Sequence, residues 1–191
     1  MSQPQSFWAR RGGAIVTVLL LGLVAYGLFS RGGGGSSSPL LGKPAPAFEL
    51  ASLSGGTVNL NSHAGKDVVV LDFFATWCPP CRESLPHLAQ LAKDYAGKGV
   101  AVYAVNCAED KATVEGYFKE NGLSLNVLMD EGLVSDAYGV TGIPQQVIIG
   151  KDGLVQYVNA GFGYGVEAEI RAGVDSLLAG KALVPVEPAK P

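Results

Sequence analysis

The sequence predicts an α/β fold built on a mixed central β-sheet. Two apolar runs, Val68–Phe74 and Val100–Val105, are each followed by a stretch with helical spacing, and strands that alternate with helices are typical of parallel sheets covered by helices. Two further short runs flank the turn Lys151–Gly153, which predicts a hairpin and therefore an antiparallel edge. Because 48% of the residues are hydrophobic and only 16% are charged, a disordered chain is excluded.

The strongest elements lie in the first half of the predicted domain. Residues 68–74 read VVVLDFF, which is typical of a strand buried on both faces. Residues 78–95 carry leucines at helical spacing and predict a helix. Residues 100–105, VAVYAV, predict a second buried strand, and residues 110–121 predict a polar helix with one apolar side.

The other elements are shorter and follow from brief apolar runs and from glycine positions. They are a small hairpin at 48–60 around Gly55 and Gly56, a strand at 125–129, a helix at 133–138, strands at 147–149 and 154–158, and a helix at 167–178 that ends before Gly180.

The first thirty residues are unlike the rest of the chain. Between Arg11 and Arg31 lie nineteen uncharged, mostly apolar residues, which as a helix would be about 28 Å long and so nearly match a hydrocarbon core of about 30 Å. We expect a transmembrane anchor at 12–30, a cytoplasmic N-terminus at 1–11 and an exported, periplasmic body, since the basic pair precedes the span. The alternative is a secretory signal cleaved after Gly27.

The anchor is followed by a tether, a single folded domain and a tail. Residues 31–41 are rich in glycine and serine and predict a flexible linker. We place the domain at 42–180 and a proline-rich, loose tail at 181–191. The net charge is −3, and it is −6 over residues 32–191, which argues against a nucleic-acid partner because binding phosphates requires a basic surface.

The sharpest chemical feature is the pair Cys78 and Cys81, in the segment WCPPC between a buried strand and a helix. Cysteines three apart at the start of a helix lie close enough to form a disulfide, and the first is at the positive end of the helix dipole, which stabilises a thiolate. Cys78 can therefore attack a substrate disulfide and Cys81 can resolve the mixed disulfide. A purely structural disulfide would constrain the unfolded chain little across so short a loop.

A metal site is the other reading of two closely spaced cysteines. The chain has three cysteines and two histidines in all, which leaves such a site without its remaining ligands. We therefore expect no metal site.

Three motifs carry a family resemblance: DFFATWCPPC at 72–81, GKPAPAFEL at 42–50 and TGIPQQVIIGKDG at 141–153. With the exported anchor, they make the chain similar to the membrane-anchored TlpA/ResA branch of the thioredoxin superfamily over about residues 42–180. The resemblance implies a thioredoxin-like fold and an extracytoplasmic thiol–disulfide oxidoreductase that reduces protein disulfides. It implies a transmembrane thiol reductant as electron donor, disulfide-containing exported proteins as substrates (apocytochrome c in cytochrome c biogenesis among them), and no cofactor beyond the redox-active disulfide.

The resemblance also assigns roles to individual residues. It makes Cys78 the exposed nucleophile, Cys81 the buried resolving thiol, and Pro86 the proline that bends the active-site helix. Ile143-Pro144 matches the cis-proline loop, whose backbone would pair with an extended substrate, although Gln145 stands where threonine is usual. The implied substrate-binding residues are Trp77, Pro79, Pro80, Ile143 and Pro144.

Asp72 lies inside the buried strand, where an unpaired carboxylate is costly. Thioredoxin has an acid at this position, whereas asparagine is more usual in the TlpA/ResA branch. We hypothesise that Asp72 takes the proton from Cys81, because burial raises a carboxyl pKa toward the range of a general base; the alternative is a hydrogen-bonded structural aspartate. Ser84 stands where the reductases often have glutamate, and the neighbouring Glu83 is expected to be solvated.

The prolines of the motif bear on the direction of the reaction. Neither Pro79 nor Pro80 has an N–H to donate to the thiolate of Cys78, so that only the N–H of Cys81 remains within the loop. We therefore expect a reducing couple.

The remaining candidate residues are expected to lie outside the catalytic machinery. Cys107, at the end of a predicted strand, is expected to be a free, inert thiol, with regulatory pairing as the alternative. Both histidines, His63 and His87, are expected at the surface. The acids Glu109, Asp110, Glu115 and Glu120 are expected to form a solvated helix face.

Three other functions are compatible with such a fold. A thiol peroxidase needs a peroxidatic cysteine in a loop with proline and threonine, and Cys107 lacks that setting. A copper-delivery module adds a ligand histidine and usually spaces its cysteines differently. A tethered interaction domain without catalysis has little use for an intact WCPPC segment.

Overall fold

The computed structural model describes residues 38–185, and these form a seven-stranded mixed sheet with helices on both faces. A short 3-10 helix, Leu60–His63, follows the second strand. The elements in chain order are β1 (Glu49–Ser52), β2 (Thr57–Asn59), β3 (Val68–Phe74), α1 (Pro79–Asp94), β4 (Val100–Cys107), α2 (Lys111–Glu120), β5 (Asn126–Asp130), α3 (Leu133–Ala137), β6 (Gln145–Ile149), β7 (Val155–Ala160) and α4 (Val166–Leu178).

The strand order explains where a site can form. It is β2-β1-β5-β4-β3-β6-β7, with β3, β4 and β5 parallel and every other pair antiparallel. The predicted α/β fold with a mixed sheet is confirmed, although antiparallel strands lie at both edges because the hairpin β1–β2 adds to β5. Since β6 runs against β3, the beginning of β6 lies beside the end of β3, with Gln145 opposite Phe73.

Strand β3 is buried on both faces, as its sequence predicts. Because side chains alternate across a strand, Val70 and Phe74 pack in the cluster that contains α1, α2 and α4. Leu71 and Phe73 pack in the cluster on the opposite face. The same alternation places Asp72 on the face of Val70 and Phe74, toward α1.

His63 is not the surface residue that was expected. Its side chain is only 15% exposed. Its Nδ1 lies 2.8 Å from Oδ2 of Asp67 and its Nε2 lies 2.9 Å from the hydroxyl of Tyr103. The sequence prediction missed this because Tyr103 is forty residues away along the chain and reaches the histidine only through the sheet.

Only part of each end of the chain lies within the described residues. Within residues 38–185, no helix is long and apolar enough to cross a membrane. The predicted segments 1–11 and 12–30, and the linker as far as residue 37, lie outside the described residues. At the other end, the first residues of the predicted loose tail are held, since the N–H groups of Leu183 and Val184 both donate to the side-chain oxygen of Gln156.

Candidate active site

The two motif cysteines form a disulfide at the N-terminus of α1. Their Cα atoms are 5.3 Å apart. Cys78 is the N-cap residue and the prolines occupy the first two helical positions, where a missing N–H costs nothing. The N–H of Cys81 points to Sγ of Cys78 at 3.3 Å, so the one donor that the sequence leaves in this loop does face the sulfur.

The disulfide is much less accessible than the sequence suggests. Cys78, expected to be exposed, is only 3% exposed, and Cys81 is fully buried. The cause is the loop before β6, whose Ile143 carbonyl lies 3.6 Å from Sγ of Cys78. Trp77, by contrast, is 66% exposed. The residue that precedes Cys78 in sequence therefore presents a large aromatic surface to solvent.

The loop that covers the disulfide contains a cis peptide bond between Ile143 and Pro144, as the resemblance implies. The N–H of Gly161 donates to the Pro144 carbonyl at 2.7 Å and ties this loop to the end of β7. The side chain of Gln145 turns inward and donates to the Tyr138 carbonyl at 3.2 Å. Gln145 therefore packs into the fold and does not present its amide to a substrate.

Asp72 is buried beneath α1 and has two hydrogen-bond donors. The hydroxyl of Ser84 lies 3.0 Å from Oδ2, and the amide of Gln146 donates to Oδ1 at 3.1 Å. Burial raises the pKa of Asp72 to about 7, although both hydrogen bonds oppose that rise. This carboxyl group can therefore gain or lose a proton near neutral pH.

Gln146 is a residue of the site that the sequence analysis missed. It is almost fully buried, and its own oxygen accepts a hydrogen bond from the Asn159 amide at 2.9 Å. That bond fixes which end of the Gln146 amide faces Asp72. The glutamine lies opposite Asp72 in the register of β3 and β6, but it is 74 residues away in sequence and no local pattern marks it.

Glu109 was expected to be solvated, and this expectation is wrong. Its carboxylate accepts from the N–H of Thr76 at 2.7 Å, from the Thr76 hydroxyl at 2.5 Å and from the Asn106 amide at 2.6 Å. The Thr76 carbonyl in turn accepts from Nε of Arg82 at 2.6 Å. All the polar groups of Thr76 are therefore engaged, and the loop that leads to Cys78 is fixed from two sides.

The remaining candidates lie away from the reacting sulfurs or have other partners. Cys107 is a free, half-buried thiol 3.4 Å from the Ser135 hydroxyl, and burial raises its thiol pKa, which favours an inert thiol. Glu83 is exposed on α1, and half-exposed His87 pairs with Glu167. Within residues 38–185, no group of three or more potential ligands could hold a metal ion.

The Cys78–Cys81 disulfide at a helix N-terminus, covered by a cis-proline loop, is the arrangement of a thioredoxin-like thiol–disulfide oxidoreductase, and the named relatives below have that activity. The chain belongs to the AhpC/TSA family, whose sequence profile matches residues 41–158. The predicted resemblance to the ResA branch is confirmed by relatives that bear the name ResA.

Two curated relatives and one crystal structure illustrate the match. The thiol-disulfide oxidoreductase ResA of Halalkalibacterium halodurans is 34% identical over 84% of this chain and 90% of its own length. The ResA of Bacillus subtilis is 32% identical over 84% of this chain and 88% of its own. A thiol:disulfide interchange protein of the thioredoxin family from Chlorobium tepidum superposes with a TM-score of 0.62 at 30% identity, over 71% of this chain and 95% of that one.

Asp72 should make the stability of the fold depend on pH. Between about pH 4 and pH 7 the folded protein keeps a proton that the unfolded chain has released, so the free energy of unfolding falls as the pH rises through this range. Asp72→Asn, which resembles the neutral acid, should raise that free energy at pH 8 by on the order of a few kcal/mol and have little effect at pH 4.

Urea denaturation at the two pH values measures this difference. The control is Asp136→Asn, since Asp136 is exposed on α3. Equal stability of Asp72→Asn and the unaltered protein at pH 8 would contradict the burial of an ionisable carboxylate.

Glu109→Gln should destabilise the fold by about 1–3 kcal/mol, since an amide nitrogen would face donors that now have a charged acceptor. Chemical denaturation at pH 7 measures the loss. Glu115→Gln is the matched control, because Glu115 is 51% exposed and, within residues 38–185, forms an ion pair only with Lys111. If the two variants lost the same small amount, the loop would not depend on Glu109.

Proposed function

We propose that the protein reduces disulfides in exported proteins, and that Asp72 takes the proton from Cys81 during the reaction. The observation that carries the reducing direction is that the loop from 78 to 81 holds one donor to the Cys78 sulfur: the N–H of Cys81 faces it, while Pro79 and Pro80 have no N–H. Beyond the helix dipole, the loop therefore adds little stabilisation to the thiolate, so the dithiol gives up its two electrons more readily than it would with further donors.

The reaction balances as follows. The thiolate of Cys78 attacks a substrate disulfide, forms a mixed disulfide and releases one substrate thiolate. Cys81 then gives its proton to the Asp72 carboxylate, and the resulting Cys81 thiolate attacks Sγ of Cys78, forming the Cys78–Cys81 disulfide and releasing the second substrate thiolate. Two electrons pass to the substrate, and no cofactor beyond the cysteine pair is needed for this step.

The oxidised pair must then be reduced again. We infer that a transmembrane thiol reductant supplies the two electrons by the same exchange in reverse, which fits the resemblance to membrane-anchored reductases. The segment 12–30 would hold the protein at the membrane and place the domain on the extracytoplasmic side. A mass spectrum of the mature protein tests the anchor, since a chain that starts near Leu28 would show that the segment is removed.

The surface around the disulfide suits an extended substrate. Trp77 is exposed beside Cys78, and Tyr164, in the loop after β7, is fully exposed. Because β7 runs in the same direction as β3, its end lies at the same edge of the sheet as the cysteines. Ile143 lies between these two positions along the sheet, and because its carbonyl faces Sγ of Cys78, a substrate chain that reaches the sulfur would run past its backbone.

An equilibrium redox titration of the full-length protein in detergent, with Cys107→Ser to remove the third thiol, tests the direction of the reaction. A potential well below the glutathione couple supports a reductase, and a potential near or above it indicates an oxidase or isomerase. Insulin reduction, peroxide turnover and copper binding, measured on the same sample, separate the reductase from the peroxidase and copper-delivery alternatives.

Pro79→Gly should make the disulfide easier to reduce. The new N–H at position 79 gives the Cys78 thiolate a second donor, which stabilises the reduced state. The same titration should show a higher potential than that of the unaltered protein. An unchanged potential would mean that the number of loop donors does not set the couple.

Asp72→Asn should slow disulfide reduction at pH 7 by about 100-fold or more, because a general base typically contributes a factor of about 10²–10⁴. In single-turnover reduction of insulin, the unaltered protein should gain rate as the pH rises through about 7, and the variant should lack that rise. Asp136→Asn serves again as the control. An unchanged rate and pH profile in Asp72→Asn would remove the proposed role of this carboxyl group.

A further inference from the structure

The hydroxyl of Ser84 has two acceptors and one hydrogen. Its Oγ lies 3.0 Å from Oδ2 of Asp72 and 3.0 Å from the backbone carbonyl oxygen of Cys81. Ser84 is buried in α1. The single hydrogen can therefore point at only one of these two oxygens at a time, and the other oxygen must then have a different hydrogen-bond partner.

Oδ1 of Asp72 has a fixed hydrogen-bond partner. The Gln146 amide donates to Oδ1, and the Asn159 amide holds Gln146 in that orientation by donating to its oxygen. Asn159 itself is held by the Gly161 carbonyl at 2.9 Å. Since Oδ1 faces a donor, a proton that arrives on Asp72 belongs on Oδ2, whose hydrogen-bond partner among residues 38–185 is Ser84.

We propose that Ser84 is a positioning residue whose hydroxyl reverses direction each time Asp72 gains or loses a proton. With Asp72 ionised, Ser84 donates to Oδ2. With Asp72 neutral, Oδ2–H donates to Ser84 and the Ser84 hydroxyl donates to the Cys81 carbonyl. This inference rests on the proposed function, in which Asp72 receives the proton of Cys81.

With this reversal, both carboxyl oxygens of Asp72 have a hydrogen-bond partner whether the group is ionised or neutral. In the step Asp72–COO⁻ plus Cys81–SH to Asp72–COOH plus Cys81–S⁻, one proton moves and no electron does. Without Ser84 the ionised form would lose its donor at Oδ2 and the neutral form would lose the acceptor of its O–H. A buried polar group without a partner is costly, so the hydroxyl lowers the free energy of both ends of the proton transfer.

A matched pair of variants separates the hydroxyl from the volume of the side chain. Ser84→Ala removes the hydroxyl, whereas Ser84→Thr keeps it and adds a methyl group. Asp72, Ser84, His87, Leu88 and Ile170 line a cavity of about 20 Å³, so the packing beside Ser84 is not completely filled. Threonine is therefore the conservative replacement that should restore what alanine loses.

The first measurement follows the Asp72 carboxyl carbon by NMR against pH. The sample is the reduced full-length protein in detergent with ¹³C-labelled aspartate, and Asp72→Asn assigns the signal by its loss. Ser84→Ala should move the titration midpoint up by about one pH unit, because the charge-assisted hydrogen bond that the ionised form loses is stronger than the neutral one that the acid loses. Ser84→Thr should titrate like the unaltered protein. Equal midpoints for the alanine variant and the unaltered protein would overturn the inference.

The second measurement distinguishes failure of this inference from failure of the proposed function. Single-turnover insulin reduction is followed from pH 5 to pH 9 for Ser84→Ala, Asp72→Asn and the double variant. Ser84→Ala should shift the pH profile upward by about the shift seen by NMR, and should cause no further change in profile when Asp72 is already asparagine.

Each outcome then has one meaning. An unaffected Asp72→Asn profile overturns the proposed role of Asp72 itself. A slowed Asp72→Asn with an unshifted Ser84→Ala overturns only the role of Ser84. Equal effects of Ser84→Ala with and without Asp72 would show that the serine acts on something other than the carboxyl group, which also contradicts the inference.

Discussion

The burial of one carboxyl group, that of Asp72, is the constraint on which the rest of the site depends. The group lies in an otherwise apolar strand face, and removing a charge from water there favours the neutral acid. Its contacts are a hydroxyl and an amide, which are neutral partners. Because no ion pair with a basic side chain offsets its charge among residues 38–185, the carboxyl group remains close to balance between its two charge states.

The sheet brings the other components to that carboxyl group. Strand β3 carries Asp72 and ends just before the cysteines, β4 ends just before Glu109, and β6 begins just after the cis-proline. These three strands are neighbours, so segments far apart in sequence meet at one edge. In the parallel pair β3–β4, Glu109 after the end of β4 fixes the loop before Cys78. In the antiparallel pair β3–β6, the cis-proline loop before β6 covers the disulfide and Gln146 in β6 donates to Asp72.

Sequence reasoning reached the parts of this arrangement that are encoded locally. The helix start at Cys78, the burial of Asp72 and the single free N–H of the loop each follow from a few adjacent residues, and the structure has them. Glu109 and Gln146 could not be found in that way. Thr76 lies 33 residues from Glu109 and Asp72 lies 74 residues from Gln146. An acid or amide near a strand end looks the same in sequence whether it faces solvent or a buried hydrogen-bond partner. The low exposure of Cys78 was missed for the same reason, since the covering loop is remote in sequence.

A buried aspartate that is neither paired with a cation nor exchanged for asparagine needs a physical reason to be there. At neutral pH its ionised form lowers the stability of the fold, and asparagine would make similar hydrogen bonds to Ser84 and Gln146 without that loss. The surrounding groups do not suppress the ionised form, since Ser84 and Gln146 both donate to it and partly offset the effect of burial on its pKa. An arrangement that keeps both charge states accessible, next to a helix that carries a thiol which must lose its proton before it can attack, is suited to accepting that proton and releasing it again.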